Sequence, residues 1–141
     1  MTARFPLIVD GSGTPAIKEI VSGDVLDLTG LQVKLGTEAT LTDGSTVAWD
    51  VSASPIAKLT LGGNRTISAP TNAVGSGQYI SLLVIQDGTG SRTLTWNAVY
   101  ECTGDTAPTL TTTASKGDLF TFRYNGSKWL EVGRNLNLTL S

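Results

Sequence analysis

The run Tyr79-Ile80-Ser81-Leu82-Leu83-Val84-Ile85-Gln86 decides how this sequence is read. It is uncharged and mostly aliphatic. Turn formers bound it, Gly75-Ser76-Gly77 before and Asp87-Gly88-Thr89-Gly90 after. So short an apolar run between turn signals reads as a strand buried on both faces. After the Asp-Gly turn, Arg92-Thr93-Leu94-Thr95-Trp96 places Leu94 and Trp96 on one face. Residues 79–96 therefore read as a strand, a turn and a returning strand, the central hairpin of an all-β domain.

The same pattern continues outward. Toward the C-terminus, Phe120, Phe122 and Tyr124 share a face, Asn125-Gly126-Ser127-Lys128 is a turn, and Trp129-Leu130-Glu131-Val132 returns. Toward the N-terminus, Thr40-Leu41-Thr42, Asp43-Gly44-Ser45 and Val47-Ala48-Trp49-Asp50-Val51 read as another hairpin, with Val47, Trp49 and Val51 facing inward. Between them, Ala57, Leu59 and Leu61 alternate with Lys58 and Thr60. Gly62-Gly63-Asn64 then turns the chain into Arg65-Thr66-Ile67-Ser68-Ala69, and Pro70 stops that strand. Residues 97–116 form a long link rich in Thr, Gly and Pro, with Thr109-Leu110-Thr111 as a short strand. A link of that length in a compact domain is a place to look for binding. Many short strand candidates and no convincing helix predict an antiparallel β-sandwich or jelly-roll-like barrel over residues 37–141.

Residues 1–36 differ. Phe5, Leu7 and Val9 alternate with Pro6 and Ile8, then Asp10-Gly11-Ser12-Gly13-Thr14-Pro15 breaks the run. Ile17 and Ile20 bracket a short β piece, and Leu31, Val33 and Leu35 mark a half-buried strand. Prolines suit an edge or an extended segment. This region is expected to be an extended N-terminal arm, or a small β subdomain, that packs on a neighbour. The tail, with Leu136, Leu138 and Leu140 alternating, can add a strand to a sheet. The candidate partner-contact residues are accordingly Phe5, Leu7, Val9, Ile17, Ile20, Leu136 and Leu138.

Composition narrows the chemistry. The chain has 141 residues, a net charge of −2 and no cluster of Lys and Arg, so a nucleic-acid footprint is absent. Charged residues are 16% and hydrophobic ones 40%, which supports a packed core rather than disorder. With no histidine, the usual general base and the commonest metal ligand are missing. Cys102 stands alone and reads as a small apolar filler. No apolar run reaches the roughly 18 residues of a membrane span, and the first residues lack the pattern of a signal peptide. Asn-x-Ser/Thr sequons at Asn64, Asn125 and Asn137 read as turn chemistry. The Asp10 loop resembles the start of a calcium loop but lacks the closing Glu. Gly75-Ser76-Gly77 and Gly88-Thr89-Gly90 precede strands, so neither is a phosphate cradle. Asp10, Asp24, Asp43, Asp87 and Asp105 sit in turns, which argues against paired catalytic acids. Trp49 and Trp96 can stack on a sugar, but each closes a strand face and is expected in the core. The expectation is no catalytic residue, no cofactor and no metal.

Several segments together resemble a β domain that recurs in tailed-bacteriophage virion proteins. They are residues 57–72 (AKLTLGGNRTISAPTN), 83–96 (LVIQDGTGSRTLTW), 107–111 (APTLT) and 124–129 (YNGSKW). Arg4 to Asp10 and Ser22 to Leu28 also resemble the start of phage tail-fibre and structural proteins. The resemblance spans about residues 45–135 and brings no catalytic residues. It implies a virion structural protein, with a homotrimer as the form by analogy. The short chain leads to the expectation of a capsid decoration (cement) protein on the outer head surface. Its partners would be the major capsid protein or other virion proteins. The alternative is a small tail-fibre or receptor-binding protein whose loops near 70–78 and 97–116 touch a host surface glycan. A glycan-degrading enzyme is the third reading.

Overall fold

The computed structural model describes residues 36–140 throughout. Before them it describes only the antiparallel pairing of β1 (Ile8–Val9) with β2 (Pro15–Ala16). The chain divides into two compact units, Met1–Val33 and Lys34–Ser141. The second carries the core and everything that follows.

The unit is all-β, as expected. Its strands are β3 (Ala39–Thr40), β4 (Thr46–Val47), β5 (Ile56–Leu61), β6 (Arg65–Ile67), β7 (Tyr79–Gln86), β8 (Leu94–Trp96), β9 (Tyr100–Glu101), β10 (Lys116–Tyr124) and β11 (Trp129–Thr139). A single 3-10 turn covers Thr103–Asp105. The strands form one six-stranded sheet, in the order β3-β5-β7-β10-β11-β9, and one three-stranded sheet, β4-β6-β8.

The pairing within these sheets is mixed. β3, β5 and β7 run parallel to one another, as do β4, β6 and β8. Successive strands thus alternate between sheets, as in three stacked coils of a β-solenoid. β10 then pairs antiparallel with β7 and with β11, closing the stack. β9 adds parallel to β11 at Trp129 and Leu130.

Two expected hairpins are therefore corrected. Strand β7 does not pair with β8, and the strands flanking Asp43-Gly44 do not pair with each other. These turns carry the chain across the core to the facing sheet. The backbone groups of each strand are satisfied by the next coil instead of by the sequence neighbour. The turn at Gly62-Gly63-Asn64 does the same between β5 and β6. Only the predicted hairpin at residues 120–132 pairs as read. There Asn125 Oδ1 accepts the Ser127 and Lys128 N–H groups at 2.9 and 2.7 Å.

The core lies between the sheets. β5 and β7 send Ala57, Leu59, Leu61, Ile80, Leu82 and Val84 inward, and β10 adds Phe120 and Phe122. Val47, Trp49 and Val51 face them, as the alternation predicts, and are at most 1% exposed. The Trp49 indole N–H donates to the Ser54 carbonyl at 3.0 Å, satisfying a buried donor. β7 is fully buried on one face only. Ser81, Leu83 and Ile85 on the other face are half-buried, because no layer among the described residues covers the outside of the six-stranded sheet. Its continuous apolar run reflects a central position in the sheet, with β5 on one side and β10 on the other.

Candidate functional site

Clefts border the link between β8 and β10. Thr109-Leu110-Thr111 forms no strand, contrary to expectation. Leu110 plugs into the core at 7% exposure, and the Thr111 N–H is taken by the Asp118 carboxylate at 2.7 Å in place of a ladder partner. The link is held at several further points. Ser91 N–H donates to Thr112 O at 2.7 Å, and Ser115 N–H donates to Asp87 O at 3.1 Å.

Three clefts border this link. The first, about 270 Å³, is walled by Trp96, Asn97, Tyr100, Glu101 and Asp105. The second is an open groove of about 570 Å³ between Thr103, Thr106, Ala107 and Thr109 on the link and Arg134 and Leu136 on β11. The third, about 240 Å³, lies between Arg92 to Leu94 and Pro108 to Leu110. The second and third mix threonine, aliphatic and cationic groups, while the first sets aromatic rings beside carboxylates.

The first cleft has a defined back wall. Trp96 is half-buried and stacks edge-on against Tyr100 and Phe120, with ring centroids 5.2 and 5.0 Å apart. The indole thus belongs to the core cluster and also borders the cleft. Its Nε1 is buried without a hydrogen-bond partner among the described residues. At the rim, Lys128 Nζ donates to Ala98 O at 2.6 Å and to Glu101 Oε2 at 3.2 Å. The Asp105 side chain hydrogen-bonds to Glu101, which raises the Asp105 carboxyl and lowers that of Glu101. Burial, foremost, pushes the Cys102 thiol up, so a thiolate nucleophile is disfavoured. Among the described residues, no group of His, Cys, Asp and Glu is arranged to hold a metal ion.

The predicted contact residues divide differently. Phe5, Leu7, Ile17 and Ile20 lie outside the described residues, and of Val9 only its place in β1 is described. Leu136 and Leu138 are both on β11. Leu136 is 42% exposed and lines the open groove, while Leu138 is half-buried opposite Gly117. The loop at 70–78 places Val74 at 78% exposure, next to a chain reversal held by Gly77 N–H to Tyr124 O at 2.8 Å. Sequence reasoning did not single out Glu101, Asp118 or Arg134. Glu101 falls in the long link and Arg134 in the tail, and Asp118 borders a strand; at such places a charged residue ordinarily means a solvated surface.

A family model described as "Putative phage tail fibre C-terminal domain" matches residues 37–129 of this chain. The chain belongs to this family. It is a structural protein of the phage virion, in line with the resemblance read from residues 57–72 and 83–96. The match of this tail-fibre domain spans β3 to the first residue of β11 and includes the link between β8 and β10. Comparison with curated proteins returned no match, and neither did comparison with solved structures.

Proposed function

We propose that this protein is a non-enzymatic receptor-contact module of the phage tail fibre, and that the link between β8 and β10 presents its host-binding surface. The observation that carries this reading is the family match over residues 37–129 together with three clefts around one link. The ligand class proposed is a surface glycan. The Trp96 edge, the Glu101 and Asp105 carboxyls and Asn97 offer the mixture of apolar face and polar acceptors that sugars use. The tail-fibre description supports this reading over decoration of the head, the leading expectation from chain length.

The test is competition for host cells. Purified protein should bind the host and slow adsorption of the phage, and Ala107→Arg, which puts a bulky cation where the first cleft meets the open groove, should reduce both effects at least tenfold. Ala107 is exposed, so this variant should melt like the wild type. Immunogold label found on every head and on no tail would end the tail-fibre reading.

A further inference from the structure

We propose that Asp118 is the positioning residue of the β8–β10 link. The inference rests on the reading of that link as the receptor-contact surface. Asp118 is 2% exposed and lies in register with Val84, at a position where its alternating neighbours Phe120 and Phe122 fill the core. A carboxylate at such a place persists only when its oxygens are hydrogen-bonded. Both oxygens accept backbone donors, and from two different segments. Oδ2 accepts Thr111 N–H at 2.7 Å, and Oδ1 accepts Asn137 N–H at 2.9 Å.

Neither donor has an ordinary ladder partner. Thr111 lies outside any strand. Asn137 lies within the register shift between Gly117 and Leu119, in a left-handed conformation at φ 59°. One side chain thus substitutes for a missing ladder partner at both places. It fixes the downstream end of the link against the same strand whose Arg134 and Leu136 form the far wall of the open groove. Glu131, held by Arg134, ties the upstream end by accepting Thr103 N–H at 3.3 Å. Residues 104–110 therefore hang between two carboxylate anchors, and Asp118 is the deeper and shorter-bonded of the two.

Asp118→Asn tests this. The amide keeps one oxygen but turns an NH₂ group toward an N–H donor, so one of the two bonds is lost. Hydrogen exchange should accelerate at least tenfold at Thr111 and through residues 103–112. Amides of β5 and β7 should keep their protection, and host binding should fall with the loosening of the link. Unchanged exchange at Thr111 and Asn137 alike would overturn the proposal, as would an equal loss of protection in β5 and β7, which would mark Asp118 as a global stability residue; if Asn137 alone accelerates, Thr111→Pro decides as below. If D118N does not fold, Thr111→Pro removes the loop donor alone and leaves the bond to Asn137. Faster exchange at 103–110 in that variant supports the proposal, and unchanged exchange defeats it. A loosened link with undiminished host binding supports the positioning role while removing the receptor reading of the link.

Discussion

Asp87-Gly88 and Asn125-Gly126 are two turns of similar chemistry with opposite topological results. At Asn125-Gly126 the chain reverses within one sheet, and β10 pairs with β11 from Tyr124↔Trp129 onward. At Asp87-Gly88 it leaves β7, crosses to the other sheet and becomes β8. In both, a side-chain oxygen takes two nearby N–H groups: Asp87 Oδ1 those of Thr89 and Gly90, Asn125 Oδ1 those of Ser127 and Lys128. The difference lies in what else is tied in. Gln86 is buried and exchanges both of its amide bonds with the Arg92 backbone at 2.9 Å, while the Arg92 guanidinium pairs with Asp87 at 2.9 Å. Asp43, in the turn between β3 and β4, and Arg65, at the start of β6, form a similar fork that ties one coil's arch to the next. An arch needs such braces because no ladder joins its two strands. A hairpin has the ladder itself.

The largest expected contrast lies inside β7. Leu82→Asp, at 0% exposure, should abolish cooperative folding, since an unpaired buried charge and the lost leucine packing together cost an amount comparable to the ~5–15 kcal/mol stability of an ordinary domain. Leu83→Asp, on the half-buried outer face, should still fold with a loss of about 1–2 kcal/mol. Equal expression and thermal melts for the two variants would contradict the one-sided burial of the strand.

Glycines at the two kinds of turn should differ next. Gly90 has φ 75°, and a Cβ there would lie 2.5 Å from the Thr112 carbonyl oxygen, a backbone atom. Gly90→Ala should cost about 3 kcal/mol by denaturant unfolding. Gly126 has φ 101° with nothing within 4 Å, so Gly126→Ala carries only backbone strain, about 1–2 kcal/mol. A larger loss at Gly126 than at Gly90 would mean that the link does not pack on the arch.

The smallest effect is in acid. The Arg65 hydrogen bond holds the Asp43 carboxyl below its ordinary value, and the Arg92 hydrogen bond does the same for Asp87. A depressed folded value adds stability that is complete above the ordinary carboxylate pKa of about 3.9 and is lost as pH falls through the folded value. Melting temperature should therefore drop as pH falls below about 4. Asp87→Asn should flatten that drop. Changing Asn125, which does not titrate, should leave the slope of the drop as it is.

Much of the fold was legible because alternation survives any pairing scheme. Val47, Trp49 and Val51 point inward whether their strand sits in a hairpin or in a coil, and the same holds for Ala57, Leu59 and Leu61. Both schemes use period-two burial and turn residues, so an arch and a hairpin look alike in one sequence. The 120–132 hairpin was read correctly because its partner strand was also its sequence neighbour. The site was less legible. The length of the link marked it as a surface to examine, and Trp96 was noticed as an aromatic of two possible uses. Glu101 and Asp118 were passed over, because their roles depend on Lys128 and Asp105 in one case and on Thr111 and Asn137 in the other. Those partners are brought together only by packing.

By itself, the sequence determined the all-β class, the inward faces of the strands and the places where the chain turns. These follow from local side-chain period and from the backbone preferences of Gly, Asn and Asp. Tertiary structure alone decided which strand each turn leads to, that the sheets are mixed, and that a carboxylate at position 118 lies inside the core. Such outcomes depend on hydrogen bonds between residues far apart in the chain. The Asp118 oxygens reach Thr111 and Asn137 from opposite directions, and no local pattern records a contact of that kind.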